Sequence, residues 1–376
     1  MKKVCRICKA PLSEKLLELK NVPAAAQFMP STQKELAADK PVDLALYCCS
    51  GCGVVQHDLA PVNYFKEVIR ASGVSAEMRK FRLEQFSSFL AKYGLAGKDI
   101  FEAGCGKGEY LEIMQHAGAS VTGYEYSDTN VQACHAKKLS AVRGYFESGD
   151  EKISNKLYDG FFILNYLEHI PDIPAFLRGV RNNLKEGAAG IVEVPNFDMI
   201  QKNCLITEFS TEHICYFTEQ SLKNTLELNG FDVKNICCVW HNYIISAEVI
   251  KRPNPDLRGF AGRGEKITAD LKHFISRHRK TIWWGAGHQA LTTLALANLS
   301  EKEICFVVDS SPDKQGHFTF VTHIPIVSPE ELSKTDADAV IISCGGYSDE
   351  VANTVKEKFK NKFDVAILRE DGVELL

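Results

Sequence analysis

The chain has 376 residues, of which 45% are hydrophobic and 24% are charged, and its formal net charge is −4. This length exceeds one ordinary domain, so we expect two or three. The small negative charge gives no reason to expect a nucleic-acid partner, and no apolar run approaches the roughly 20 residues that span a bilayer. Thirteen cysteines, an odd number, disfavour a disulfide framework and favour a reducing cytoplasm.

Two C-x-x-C pairs lie in the first part of the chain: Cys5 with Cys8, and Cys49 with Cys52. Four thiolates are the ligand set of a closed structural zinc site, so the pattern predicts a zinc-binding domain over residues 1–62. We expect the segment between the pairs to be an irregular loop dotted with prolines. Cys48 is a spare thiol, because only its neighbour Cys49 keeps the two-residue gap to Cys52. The alternatives are free thiols paired by chance, or a redox pair, for which no βαβ pattern is present.

Residues 63–94 connect this part to the next. Ser75 is a candidate N-cap, because a hydroxyl before an apolar periodic segment often accepts a hydrogen bond from the first helical turn. An apolar stripe at helical spacing follows: Phe86, Phe89, Leu90 and Tyr93. Such a stripe is more often a packing face than a binding surface, so we expect a helix packed on a core.

The most informative stretch spans residues 99–111. It begins with the end of a predicted buried strand, and 110–114 then carries apolar residues at helical spacing. Between them stand an acid and three glycines: Glu102, Gly104, Gly106 and Gly108. A strand that turns on glycines into a helix brings backbone N–H groups close to a ligand. The spacing is not that of the dinucleotide fingerprint, whose third glycine comes three places after the second.

Two later segments extend this pattern. The next predicted strand ends in Glu125, and its distance of about 20 residues suits an acid that binds the hydroxyls of a ribose. Residues 158–172 then look like a further strand and the start of a helix. In this order, the segments resemble class I S-adenosylmethionine (SAM)-dependent methyltransferases. The resemblance implies an α/β fold with a Rossmann-like, mostly parallel core over residues 63–252.

The resemblance also assigns cofactor roles to single residues. Gly104, Gly106 and Gly108 are expected to line the methionyl end of SAM, and Glu125 to hold its ribose. The cofactor side is further expected to include Glu102, Tyr126, Phe146, Asn165, Glu168 and His169. Without the other segments, the glycine loop alone would be equally compatible with a tight turn.

The last third of the chain starts a second βαβ pattern. A turn-rich stretch at 251–256, followed by the glycine-rich stretch 258–264, predicts the boundary. Strands are then expected at 281–284, 304–309 and 339–344, with Gly285, Gly287 and His288 after the first. These residues predict a Rossmann-like α/β domain over 253–376, although a G-x-G sequence alone is a weak signal. Gly285, Gly287 and His288 are equally compatible with a contact to a nucleotide and with packing of the domain.

Together the three parts resemble the sugar C-methyltransferase family, which acts on nucleotide-linked keto-deoxysugars. That family joins a small zinc domain, a SAM-binding core and a C-terminal Rossmann-like domain in this order. The resemblance rests on the paired C-x-x-C motifs and on further segments at 42–46, 53–56, 193–195, 212–217, 308–309, 314–316 and 323–326. It implies a small-molecule substrate, no nucleic acid, no membrane, and a monomer or homodimer.

The residues that depart from the family pattern lie in its catalytic segment. The family's Tyr-His-Glu-His is Ser210-Thr-Glu-His213 here, so Glu212 and His213 are kept and the first two residues are not. Its His-Gly-Gly-Ser is His241-Asn-Tyr-Ile, and Gln289 replaces a lysine in the C-terminal domain. A relative with another acceptor therefore remains an alternative.

The resemblance implies catalytic roles for the residues that remain. His213 is the expected general base, because an imidazole titrates near neutrality, and Glu212 is expected to orient or assist it. Adjacent residues point apart on a strand or helix, so contact between these two side chains does not follow from the sequence. His241 or Tyr243 is expected to hold the sugar oxygen. With an oxygen or nitrogen acceptor, the same histidine would take its proton from a hydroxyl or an ammonium.

Two other classes of protein stay open at this point. The C-terminal βαβ segment could bind NAD in a sugar oxidoreductase, a reading that Asp309 supports and that Ala290, in the third-glycine place, opposes. The other class is a non-enzymatic zinc-ribbon adaptor. The complete set of SAM-binding glycines and acids opposes it, because an adaptor would have no use for them.

Overall fold

The computed structural model describes residues 3–27, 29–67 and 74–376. The chain divides into two compact units, Met1–Pro253 and Asn254–Leu376. The division falls within the turn-rich stretch 251–256. Among the described residues, no helix combines the length and the apolar character needed to cross a membrane.

The N-terminal part contains regular elements: β1 (Leu17–Val22), α1 (Gln33–Ala38) and β2 (Val42–Cys48) lie between the two cysteine pairs, and β3 (Val55–His57) follows the second pair. The expectation of an irregular loop was wrong there. The first strand is largely exposed, so its apolar pattern is weak, and antiparallel pairing with β2 makes it a strand. Helix α1 begins at a capping box, in which Thr32 accepts from the Glu35 N–H and the Glu35 side chain reaches back.

The central part follows with alternating helices and strands. They are α2 (Ala76–Tyr93), β4 (Asp99–Ala103), α3 (Glu109–His116), β5 (Ser120–Glu125), α4 (Asp128–Ala136), β6 (Ala141–Arg143), β7 (Tyr158–Leu164), α5 (Ile173–Asn182), β8 (Leu184–Pro195), α6 (Phe197–Lys202), β9 (Cys215–Tyr216), α7 (Glu219–Leu228), β10 (Phe231–Val239) and β11 (Ile244–Lys251). The N-cap prediction is confirmed, because the Ser75 side chain accepts from the Met78 N–H. Phe86, Phe89 and Leu90 are buried, as the apolar stripe predicted.

The central sheet has the strand order β10-β11-β8-β7-β4-β5-β6. Strands β8 to β6 of this order run parallel, whereas β10 and β11 form an antiparallel hairpin at one edge. Because the carboxyl ends of parallel strands share one edge, the segments after β4, β5, β7 and β8 meet there. The prediction of a mostly parallel Rossmann-like sheet is confirmed.

Strand β9 belongs to the central part by sequence but pairs with the N-terminal part. Val55 faces Tyr216 and Gln56 faces Cys215 in antiparallel register, which extends the N-terminal sheet to the order β1-β2-β3-β9. His57, fully buried, also contacts the Thr211 carbonyl through its Nε2 at 3.2 Å. The N-terminal sheet therefore fixes the chain on both sides of residues 212–214.

A buried ion pair connects α2 to β8. Arg82 Nη1 lies 2.5 Å from Glu193 Oε2, and both side chains are shielded from solvent. Gln85 donates to Glu193 Oε1 at 2.6 Å and accepts from Arg82 at 2.7 Å. The ion pair and the shared amide offset part of the cost of burying two charges, and loss of either charged partner would leave a buried charge without its counter-ion.

The second unit is a separate α/β body with the elements α8 (Arg258–Ser276), β12 (Thr281–Trp284), α9 (His288–Leu296), β13 (Ile304–Val308), β14 (Ile326–Val327), β15 (Ala339–Ile342), α10 (Ser348–Phe359), β16 (Asp364–Arg369) and β17 (Gly372–Leu375). Its sheet has the order β14-β13-β12-β15-β16-β17, parallel except for the last pair. The reading of 258–264 as part of a turn-rich boundary was wrong, because these residues open α8. Leu271 and Phe274 anchor that helix farther along, which outweighs the weak helix propensity of its three glycines.

Candidate zinc and methyl-transfer sites

The four paired cysteines converge on one point. Their sulfur atoms all lie within 4.8 Å of one another, with Cys5 and Cys52 3.6 Å apart and Cys8 and Cys49 3.3 Å apart. A tetrahedral zinc with Zn–S bonds of about 2.3 Å separates its sulfurs by about 3.8 Å. The arrangement therefore fits one zinc ion held by four thiolates. Cys48 points elsewhere, toward the carbonyls of Cys49 and Gly53.

The backbone around the cysteines supports the charged form of the sulfurs. N–H groups of Ile7, Gly51 and Cys52 approach cysteine sulfurs at 3.3 Å, and the Gln56 amide donates to Cys5 Sγ at 3.2 Å. Hydrogen bonds to the charged form favour it, as thiolate ligation requires. Gly51 is needed for close approach, because an added Cβ would lie 2.9 Å from the Ala10 Cβ and 3.0 Å from Cys8 Sγ.

The glycine loop between β4 and α3 has the backbone that its sequence predicted. Gly104, Gly106 and Gly108 have φ values of 73°, 56° and 81°, a region that other residues rarely adopt. An added Cβ on Gly104 would lie 2.6 Å from the Tyr166 ring, and one on Gly108 would lie 2.7 Å from Leu139. At Gly106 it would meet only Glu109 Oε2, at 3.9 Å. The first and third glycines thus allow packing, whereas the middle one borders open space.

Glu125 ends β5 directly beside this loop. Its carboxylate accepts from the Gly106 N–H at 2.9 Å and from the Ser127 N–H at 3.0 Å. Burial raises its pKa above the ordinary value, and these N–H groups oppose that rise. The open face of Gly106 and an acid fixed by backbone at the end of the second strand fit the ribose and methionyl ends of SAM.

The other predicted cofactor residues occupy different depths around this edge. Glu102 is 1% exposed on β4, and Phe146 is buried against the Tyr124 ring at 4.5 Å, within the core. Tyr126 is partly exposed beside the Lys66 ammonium. Asn165 follows β7 with a φ of 51°, an uncommon conformation outside glycine, and its N–H donates to the Glu193 carbonyl at 2.9 Å. Their roles toward SAM stay predictions.

The loop with the predicted base lies beside the turn after β7. The Ile214 N–H donates to the Glu168 carbonyl at 2.8 Å, and Nδ1 of His169 contacts the Glu212 carbonyl at 2.9 Å. The imidazole of His213 packs edge-on against that of His169, with ring centroids 4.7 Å apart. Glu168 and His169 were expected on the cofactor side, and the structure brings them together with His213.

Burial moves the pKa values of this group away from solution values. It raises the pKa of Glu168 to about 8 and lowers that of His169 to about 3, the latter with help from His213. Desolvation also lowers the pKa of His213, against the attraction of Glu212 and Glu208. Such displaced values cluster at functional sites, because catalysis needs acids and bases tuned by their surroundings. A neutral His213 has a lone pair with which to accept a proton.

Glu212 points away from His213 and toward the N-terminal part. Its Oε1 accepts from the Ala26 N–H at 2.9 Å and from the hydroxyl of Tyr64. Burial raises the pKa of that tyrosine to about 12, and Glu212 contributes to the rise. Tyr64 is a candidate site residue that the sequence did not indicate, because it lies in a connecting segment without periodicity or motif and meets Glu212 only through the fold.

His241 and Tyr243 lie on the tight turn between β10 and β11. Trp240, His241 and Asn242 have successive φ values of 47°, 55° and 66°, an unusual run for residues other than glycine. The His241 imidazole is exposed and lies 3.3 Å from Glu77 Oε1, whereas the Tyr243 hydroxyl donates to Glu208 Oε2 at 2.5 Å. Tyr243 is thus hydrogen-bonded to Glu208, an acid whose charge raises the pKa of His213, whereas His241 faces Glu77.

In the second unit, the predicted nucleotide contacts separate into two kinds. Gly285 is required for packing, because an added Cβ would run into the Ser343 carbonyl, whereas Gly287 and His288 face outward. Asp309 accepts from the Ala286 N–H at 2.8 Å and pairs with Lys314 at 3.0 Å. This acid, which an NAD ribose would need, is thus already neutralised by a lysine.

Family models match the chain in three consecutive segments. A zinc binding domain matches residues 5–60, a methyltransferase domain matches 75–236, and a C-methyltransferase C-terminal domain matches 250–367. The order and positions agree with the zinc part, the glycine-loop part and the second unit described above.

Two relatives illustrate the extent of the similarity. C-methyltransferase NovU of Streptomyces niveus is 24% identical over 397 residues, which covers 95% of this chain and 93% of that protein. Ubiquinone biosynthesis O-methyltransferase of Psychrobacter arcticus is 28% identical over 156 residues, or 39% of this chain and 57% of that protein. The second similarity is confined to part of each chain, whereas the first runs through all three segments.

Solved structures similar to the chain include magnesium protoporphyrin IX methyltransferase of Synechocystis PCC 6803, with 16% identity and a TM-score of 0.38 over 51% of this chain and 94% of that one. The plantazolicin methyltransferase BpumL gives 16% identity and 0.37 over 47% and 86%. These scores are low, so the assignment rests on the ordered family matches and the full-length relative. The chain is similar to a C-methyltransferase through all three of its parts, and it is a SAM-dependent methyltransferase with a zinc-binding N-terminal part.

Proposed function

We propose that the chain methylates a carbon atom next to a ketone in a nucleotide-linked deoxysugar, with His213 as the general base. The observation that carries the proposal is the partly buried imidazole of His213, held against the turn after β7 by hydrogen bonds of the flanking residues. The similarity to a C-methyltransferase along 95% of the chain supports carbon as the acceptor atom. Reduced cysteines at the zinc site agree with a reducing compartment such as the cytoplasm.

SAM, when bound, supplies an electrophilic methyl group on a sulfonium. The chain's own residues must therefore align a nucleophile and accept its proton. Glu125 and the open face of Gly106 are proposed to hold SAM at the edge of the sheet. His213 is proposed to remove the proton from the carbon beside the ketone, and the Tyr243 hydroxyl, oriented by Glu208, to hold the sugar oxygen. Glu212 fixes the loop through Tyr64 and Ala26.

A second candidate is methylation of an oxygen or nitrogen atom in a related small molecule. It is favoured by the loss of the family's tyrosine and first histidine at Ser210 and Thr211, and by the partial similarity to an O-methyltransferase. In that reaction His213 would take its proton from a hydroxyl or ammonium. The two candidates share every cofactor residue and differ only in the acceptor atom.

Hydrogen exchange distinguishes these candidates. The enzyme is incubated in deuterated water with a nucleotide-linked 4-keto-deoxysugar and the demethylated cofactor product, which prevents methyl transfer. With base-assisted C-methylation, the wild type is expected to incorporate deuterium at the carbon beside the ketone, and His213→Asn is expected to incorporate it at the uncatalysed rate. Absence of exchange, together with a methylated hydroxyl in the complete reaction, would contradict carbon methylation.

The SAM site is tested by a side chain at Gly106. Gly106→Val should lose SAM binding or weaken it severely in a calorimetric titration, because the new methyl groups would occupy the open space beside the loop. Valine at a positive φ also strains the backbone. Gly94→Val is the matched control, since Gly94 has a φ of 65° and nothing within 4 Å of an added Cβ. Unchanged SAM affinity in Gly106→Val would remove this glycine from the site.

A further inference from the structure

A second group of metal-ligand side chains lies in the acceptor-side loop, apart from the four cysteines. Glu168, His169 and His213 each offer one ligand atom, and these atoms lie within 4.8 Å of one another. Two imidazoles with one carboxylate form a ligand set that suits divalent transition metals such as zinc, cobalt or iron(II). Magnesium and calcium prefer oxygen ligands, so they fit this group poorly.

One oxygen of the group's carboxylate lacks the partner that burial demands. The Glu168 side chain is 2% exposed, and its Oε2 has no hydrogen-bond partner among the described residues. Its Oε1 lies 3.8 Å from His169 Nε2, which is beyond hydrogen-bond distance. A buried polar atom without a partner is costly, so a cation that binds this oxygen would offset that cost.

The imidazole of His169 is oriented as a ligand would be. Its Nδ1 lies 2.9 Å from the Glu212 carbonyl, an acceptor, so that nitrogen carries the proton and Nε2 keeps its lone pair. A hydrogen bond from the second ring nitrogen to a backbone carbonyl is the usual support of a metal-bound histidine. The Ile214 N–H, bonded to the Glu168 carbonyl at 2.8 Å, joins the segments that carry the three side chains.

We propose that Glu168, His169 and His213 bind one divalent transition-metal cation at a site separate from the cysteine zinc, and that the bound cation inhibits the enzyme. Coordination uses the imidazole lone pair that a general base needs, so metal binding and proton removal by His213 exclude each other. The inhibitory half rests on the proposed function. The binding half does not, because it requires neither SAM nor an acceptor.

Cobalt(II) is the probe for binding. Protein that retains its cysteine zinc, and from which loosely bound metal has been removed, is titrated with Co²⁺ by calorimetry and visible absorption. One additional cobalt per chain is expected, with the weak visible bands of nitrogen and oxygen ligation. An intense thiolate-to-cobalt absorption would place the cobalt at the cysteines. Absence of any cobalt binding beside the retained zinc would show that Glu168, His169 and His213 hold no metal. Either result would overturn the proposal.

Two variants and two controls locate the cation. Glu168→Gln and His169→Gln should each weaken cobalt binding by about a hundred-fold or more, since loss of orienting groups alone costs up to that much. His116→Gln and Glu147→Gln, both at exposed positions, should bind cobalt as the wild type does. Zinc content and circular dichroism check the fold of each protein. Undiminished binding in both site variants would refute the assignment.

The inhibitory half is measured on the complete reaction. Methyl transfer should fall as cobalt fills the site and should return when a mild chelator removes it while the cysteine zinc stays bound. Full activity with the site occupied would refute inhibition. If the deuterium exchange experiment fails while cobalt still binds, the proposed function is wrong and the metal site stands.

Discussion

The His213→Asn variant is expected to bind SAM normally and to lose turnover by about a hundred- to ten-thousand-fold, the usual contribution of a general base. Asparagine keeps the polar character and approximate size near the backbone but has no basic nitrogen. SAM affinity should stay, because the glycine loop and Glu125 lie on other segments of the sheet edge. Turnover under saturating substrates and SAM binding by calorimetry are the measurements.

A matched control separates loss of the base from a general histidine effect. His116→Asn removes an exposed imidazole at the end of α3 and should retain full turnover. The pattern expected for His213→Asn is a loss in kcat without a comparable change in SAM affinity or in the thermal midpoint of unfolding. Full activity of that variant would exclude His213 from the mechanism, whichever atom accepts the methyl group.

Loss of the zinc should have an effect on turnover as large as loss of the base. Structural zinc sites contribute about 10–16 kcal/mol of apparent binding free energy in small domains, so a chelator or Cys5→Ser should unfold the N-terminal sheet. That sheet includes β9, and the N-terminal part also holds Glu212 through Ala26 and Tyr64. Residues 210–214 would lose their supports, and methyl transfer would fall with them.

SAM binding provides the internal comparison for zinc loss. The glycine loop and Glu125 hold each other through the Gly106 N–H, so SAM affinity should change far less than turnover in the zinc-free protein. Cys48→Ser is the matched control, because this thiol lies outside the four-sulfur group. It should keep one zinc per chain and full stability. Protein purified without chelator that contains no zinc on elemental analysis would contradict the site.

Local sequence was sufficient where the chemistry lies within a few residues of chain. The turn at Gly104–Gly108 needs positive φ values at alternate positions, and the glycines that permit them are visible in the sequence. The C-x-x-C spacing likewise placed two thiols near each other, and the repeat of that spacing supplied the other two. For the glycine turn and within each cysteine pair, residue type and short-range geometry specify the local arrangement.

Contacts between distant segments could not be predicted in this way. The pairing of β3 with β9 joins residues about 160 positions apart, and neither short strand has an alternating pattern long enough to be recognised. The hydrogen bond from Tyr64 to Glu212 depends on that pairing and on the path of the connecting segment. The helix that opens at Arg258 was missed because its glycines match a loop, whereas packing farther along decides the structure.

The shared sheet also constrains how this architecture can be recombined. Val55 and Gln56 pair with Tyr216 and Cys215 of β9. A zinc-binding part taken from another protein must therefore pair with β9, a strand that lies outside the exchanged segment. A chimera joined between β3 and α2 would leave both of those elements intact, yet it would replace one side of this β ladder. Functional chimeras should therefore require co-selection of residues 55–57 with 211–216, and substitutions in the two segments should covary during divergence.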